Sequence, residues 1–159
     1  FSLVGRRPEI AMIPCCQEQG IQLLTYGTVC DGLFSGYYQR RRERGQCSLK
    51  TASQKKYRQM IYAWDDWKLF QELLGCLKLI ADQHHVSIAN VATFYFLDKP
   101  TVAGVIVGTR HGVSEHRDDK ACTFSLALND EAHGHMQAVL GKSRNVFQSI
   151  GDCGSEYRN

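Results

Sequence analysis

The stretch "VSIANVATFYFLDKPTVAGVIVGTR" (Val86–Arg110) carries a helix into a strand and ends the strand on a glycine. Ser87 stands where an N-cap belongs, and Ile88, Val91, Ala92 and Tyr95 recur at helical spacing. Pro100 stops that helix. From Thr101 to Val107 the chain is almost wholly apolar, as a strand covered on both faces is. Gly108, Thr109 and Arg110 follow at its carboxyl end. A glycine lets the main chain approach an anion closely, and a guanidinium grips it bidentately. The alternative is a plain strand-to-loop turn with a solvated arginine.

The flanking sequence repeats the pattern. "IQLLTYG" (Ile21–Gly27) reads as another short apolar strand, and the glycine-rich "GTVCDGLFSG" comes straight after it. Before it, "RRPEIAMIPCCQEQG" has Pro8 near a helix start and Gly20 at the end, with Pro14 expected to kink the helix. "FSLV" at the start reads as a further strand. From Trp67 on, Phe70, Leu74, Leu77 and Ala81 complete one apolar helical face. Asn129 caps a last helix expected to run to Ile150. Residues 39–56 read as a polar, basic loop and 151–159 as a polar tail. About three apolar strands alternating with helices predict an α/β fold with a parallel sheet. Ligands in such sheets bind beyond the carboxyl ends of the strands, where both glycine loops should open on the same side.

Composition narrows the function. The chain has 159 residues and a formal net charge of +3, too mild to demand nucleic acid or an anionic membrane. No apolar run reaches the roughly 20 residues a membrane helix needs. The seven cysteines are scattered without a C-x-x-C pair, which suits free thiols in a reducing, cytoplasmic compartment. His133 and His135 are two apart on a helix and diverge, so no metal site is expected. The run Arg40, Arg41, Arg42 and Arg44 lacks the interleaved aromatics of a nucleic-acid stripe and reads as a solvated loop.

The two glycine-ended blocks, "MIPCCQEQGIQLLTYGTVCDGLFSG" and "VSIANVATFYFLDKPTVAGVIVGTR", resemble in order and content the C-terminal part of an aldo-keto reductase. The likeness extends over 1–159 and is nearest to fungal members, down to the "GDCGSEYR" ending. It implies part of a (β/α)8 TIM barrel that binds NADP(H) and reduces a small-molecule carbonyl. By the same resemblance, Tyr26 stacks on the nicotinamide, and Gly27, Thr28, Gly32, Leu33 and Ser35 wrap the pyrophosphate, mostly through main chain. Gly108, Thr109 and Arg110 take the 2′-phosphate, with Ser114, Glu115 and His116 toward the adenine.

Two positions depart from the pattern. Asp31 puts a carboxylate near the pyrophosphate and should weaken binding unless it faces solvent. Lys120 stands where relatives often carry an asparagine.

The family's catalytic Asp, Tyr, Lys and His come from early strands, which this stretch does not match. A whole barrel takes roughly 250 residues and eight strands. With Phe1 in first place, the chain is therefore expected to be a fragment or a truncated product, inactive alone and prone to self-association through open sheet edges. The competing reading is a catalytically inactive cofactor-binding or protein-interaction module.

Overall fold

The computed structural model describes residues 1–43, 49–109 and 116–151. Among these residues the sheet has two parallel strands, β1 (Leu23–Tyr26) and β2 (Val102–Ile106), with Tyr26 opposite Ile106. "FSLV" does not add a third. Its Leu3 and Val4 are both buried, so the residues do not alternate, and Ser2 and Gly5 close on one another in a tight turn, Gly5 N to Ser2 O at 2.8 Å.

Seven α-helices accompany the sheet among the described residues, and those that pack on it cover one face only. The first, α1 (Met12–Gln19), ends at Gly20 in the left-handed region, φ 64°, and Gly20 N bonds back to Gln17 O. Pro14 produces no kink, because it falls in the first turn, where the missing N–H has no intrahelical partner to lose. Pro8 opens a separate 3-10 turn.

Helix α2 (Ala52–Trp64) begins inside the stretch read as the 39–56 loop. Its cap is Thr51, which accepts from Gln54 N at 3.0 Å, while the Gln54 side chain takes Lys50 N at 2.9 Å.

Helix α3 (Trp67–Gln83) is the centre of the core. It buries Phe70, Leu73, Leu74, Leu77 and Ala81 against α4 (Ile88–Leu97) and α6 (Asp130–Leu140). Ser87 and Asn129 cap α4 and α6 as their sequence positions predict. The last helix does not run through to Ile150. It breaks after Leu140, and α7 (Val146–Ile150) restarts under a new cap, Asn145. The short α5 (Arg117–Ala121) follows the loop after β2. Among the described residues no helix is long and apolar enough to cross a membrane, and no group of acidic, His and Cys side chains is placed to hold a metal ion.

Candidate functional site

Because β1 and β2 are parallel neighbours, the loops that follow them leave the same end of the sheet. Adjacent strands lie about 4.8 Å apart, so Gly27 and Gly108 begin their loops side by side. Tyr26 is exposed on the sheet face turned away from the helices.

The β1 loop is closed on itself. Cys30 N, Gly32 N and Leu33 N bond to Gly27 O, Val29 O and Cys30 O at 3.0, 3.0 and 3.2 Å. Ser35 N bonds to Leu33 O, and the Ser35 hydroxyl donates to Gly32 O at 2.7 Å. The Leu33 side chain is buried in the core. Thr28 is also buried, and its hydroxyl has no partner among the described residues. The main-chain donors at Gly32, Leu33 and Ser35 are therefore spent inside the loop in this conformation.

Two non-glycine residues there, Cys30 and Asp31, sit in the left-handed region at φ 49° and 52°. What holds them is burial of Cys30 and a hydrogen bond from the Thr51 hydroxyl to the Asp31 carboxylate. Gln54 Nε2 also reaches Asp31 O at 3.4 Å. Asp31 is thus engaged at the start of α2, where the helix dipole favours a negative charge.

Tyr57 is a site residue that sequence reasoning missed. It comes from α2 and lies over Gly27, where any added Cβ would run into its hydroxyl oxygen and come 3.3 Å from its Cζ. Burial pushes the Tyr57 phenol up to about 12, and the nearby Cys30, Tyr26 and Asp31 push the same way. The phenol remains protonated, a donor at the mouth of the loop. Its signal was present: Tyr57, Ile61 and Trp64 share one face behind the Thr51 and Gln54 cap.

The β2 loop is open. Gly108 and Thr109 are exposed, and a Cβ on Gly108 would meet nothing within 4 Å. Lys120 Nζ, from α5, reaches Gly108 O at 2.6 Å. It is placed by a polar latch between α5 and α4. Asn90, buried on α4, donates Nδ2 to Asp119 O at 2.9 Å and accepts at Oδ1 from the Thr123 hydroxyl at 3.0 Å. The Ser87 hydroxyl donates to the Asp119 carboxylate at 3.1 Å. His116 precedes α5 and is exposed. Arg110, Ser114 and Glu115 lie outside the described residues. An exposed glycine with a lysine ammonium on its carbonyl leaves this loop open and positively charged, an arrangement that can receive an anion.

A tyrosine, a lysine, an aspartate and a histidine do gather elsewhere. Lys99 Nζ is 3.4 Å from Tyr95 Oη and His133 Nε2 is 3.3 Å from Asp98 Oδ2, with Gln137 Nε2 donating to Tyr95 Oη at 3.0 Å. This cluster immediately precedes β2, at the amino ends of the strands, and Tyr95 is buried in it. Conserving such positions stabilises a barrel, whereas its chemistry sits at the carboxyl ends. The cluster ties α4 to α6 and, through Lys99 and Glu9, to the first 3-10 turn.

A sequence profile described as the aldo/keto reductase family matches residues 1–140. The chain belongs to the aldo/keto reductase family. That membership implies oxidoreductase chemistry with a nicotinamide cofactor. Among curated proteins nothing matches the chain.

Proposed function

We propose that this aldo/keto reductase chain forms the cofactor-holding part of an NADP(H)-dependent enzyme of the fungal type that reduces carbonyls to alcohols. The observation that carries the reading is the pair of neighbouring parallel strands whose carboxyl ends lead into Gly27 and Gly108 at one end of the sheet, with Lys120 on Gly108. When bound, the cofactor supplies hydride. The chain's own residues bind and orient it. Tyr26 offers an exposed aromatic face beside the loops, and Thr28 a hydroxyl lacking a partner among the described residues. Arg110, by its place in the sequence after Gly108 and Thr109, and Lys120 hold the 2′-phosphate. Tyr57 keeps a protonated hydroxyl over Gly27.

The decisive experiment compares NADPH and NADH binding, by nicotinamide fluorescence, to the chain and to Arg110→Ala. A lost charge-assisted bidentate contact costs about 1.5–3 kcal/mol, so NADPH should weaken roughly 10- to 150-fold while NADH is nearly unchanged. Equal losses for both cofactors would reject the assignment.

A further inference from the structure

Arg40, Arg41 and Arg42, which the cofactor reading leaves aside, form one wall of an open groove of about 760 Å³, whose other wall is the outer flank of α3. The segment carrying them is fixed in place. Trp67 Nε1 donates to Arg41 O and Gln71 Nε2 to Tyr38 O, both at 3.0 Å, so α3 holds the main chain on either side of Arg40. Arg40 itself adopts the left-handed region, φ 57°, a conformation sustained by these two anchors.

The charges along the groove are unequal. Lys78 and Asp82 pair with each other and Arg41 stacks on the Tyr37 ring at 3.9 Å. Arg40 and Arg42 are exposed and have no acidic partner among the described residues.

The floor has its own peculiarity. Gly75 sits in the middle of a seventeen-residue helix, where glycine is unfavourable, and a Cβ there would meet nothing within 4 Å. Packing within the chain does not require it. A bare helix flank does let another main chain lie close. Two further features stand out: Leu79 beside it is 69% exposed, and Gln71 Oε1 is buried without a partner among the described residues.

We infer that this groove binds a short, extended acidic segment of a partner protein. Its carboxylates pair with Arg40 and Arg42, its main chain crosses Gly75 and gives an N–H to Gln71, and an apolar side chain covers Leu79. From Gln71 to Asp82 the helix runs about 16 Å, room for roughly five extended residues. Asp82 distinguishes a peptide from nucleic acid. A continuous phosphate backbone would meet that carboxylate, whereas a peptide can place an uncharged residue there.

The test is fluorescence anisotropy of the 159-residue chain with a labelled Glu-Glu-Leu-Glu-Glu peptide, beside the Lys-Lys-Leu-Lys-Lys peptide and a labelled oligothymidylate. Saturable binding of the acidic peptide is expected, weakened at least tenfold both in Arg40→Glu/Arg42→Glu and in Gly75→Leu. The control Lys50→Glu/Lys55→Glu, with the same change in net charge at exposed sites, should weaken it less than threefold. The exposed arginine variants keep the test valid should Gly75→Leu fold poorly. Absence of saturable binding, equal loss in the two charge-reversed variants, unchanged binding by a folded Gly75→Leu, or tighter binding of the oligothymidylate would each overturn the inference.

Discussion

Gly27 concentrates two constraints in one residue: its φ is 76°, and the Tyr57 hydroxyl occupies the place of its missing side chain. Gly27→Ala should therefore destabilise the chain by about 1–3 kcal/mol. The two causes are separable. Tyr57→Phe removes the oxygen in the way and leaves the backbone strain, so the double variant should recover part of the loss. Chemical denaturation of all four proteins gives the coupling, and strict additivity would mean that Tyr57 does not press on Gly27. Cys30, next in the same loop, sets a pH limit. Burial is the main cause that pushes its thiol up to about 12 from the ordinary 9.0, against a smaller opposing pull from the Ser2 hydrogen bond. A raised folded value means that the native chain holds the proton which the unfolded chain releases above pH 9. Stability is then full below pH 9 and falls as pH rises toward 12, with Tyr57 adding to the fall above pH 10. Thermal melts from pH 8 to 11 should show the decline, and Cys30→Ala should flatten it. An identical slope in that variant would place the titration elsewhere.

Among the elements, α5 has few means of support besides its latch to α4. Replacing Asn90 by Ala strips partners from Asp119 O and the Thr123 hydroxyl at a buried site, a loss of about 1–3 kcal/mol. It also frees Lys120 from its place over Gly108. Asn90→Ala should lower both the melting temperature and NADPH affinity, whereas Lys120→Ala should lower affinity alone. If Asn90→Ala melts early and binds NADPH normally, the latch has no part in the site.

How legible each element was in the sequence follows from how local its cause is. The Ser87 and Asn129 caps and the apolar face of α3 were readable because each depends on residues within a turn or two. Helix α2 was hidden by the charges around it, although Thr51, Gln54 and the Tyr57, Ile61 and Trp64 face were all there to be read. "FSLV" misled because its burial comes from distant helices rather than from strand pairing. In the site, the glycines marked both loops, but the Tyr57, Asn90 and Lys120 contacts join residues far apart in the chain. Spacing cannot reveal them.

At the scale of the molecule, the sheet is covered on one side only. Thr25 is buried, and Val105 packs against the core. On the other face Leu24, Tyr26 and Ile106 are 66, 63 and 58% exposed. Parallel sheets are found almost always with both faces covered, since βαβ units leave no polar side. A closed barrel meets this by turning one face of every strand inward and by eliminating edges. Two strands do neither: among the described residues each pairs only with the other. Leu24, Tyr26 and Ile106 then form a contiguous apolar patch beside unpaired strand edges, the combination that drives association. The isolated chain should sediment as a concentration-dependent mixture of monomer and larger species. Leu24→Lys/Ile106→Lys should shift it toward monomer without lowering the melting temperature by more than a few degrees, because neither side chain belongs to the core under the helices. Phe124, 82% exposed after α5, supplies the control: Phe124→Lys adds charge elsewhere and should leave the distribution unchanged. A chain that stays monomeric at all concentrations and melts in one cooperative step would mean that helix packing around α3 suffices and that the bare sheet face carries no cost.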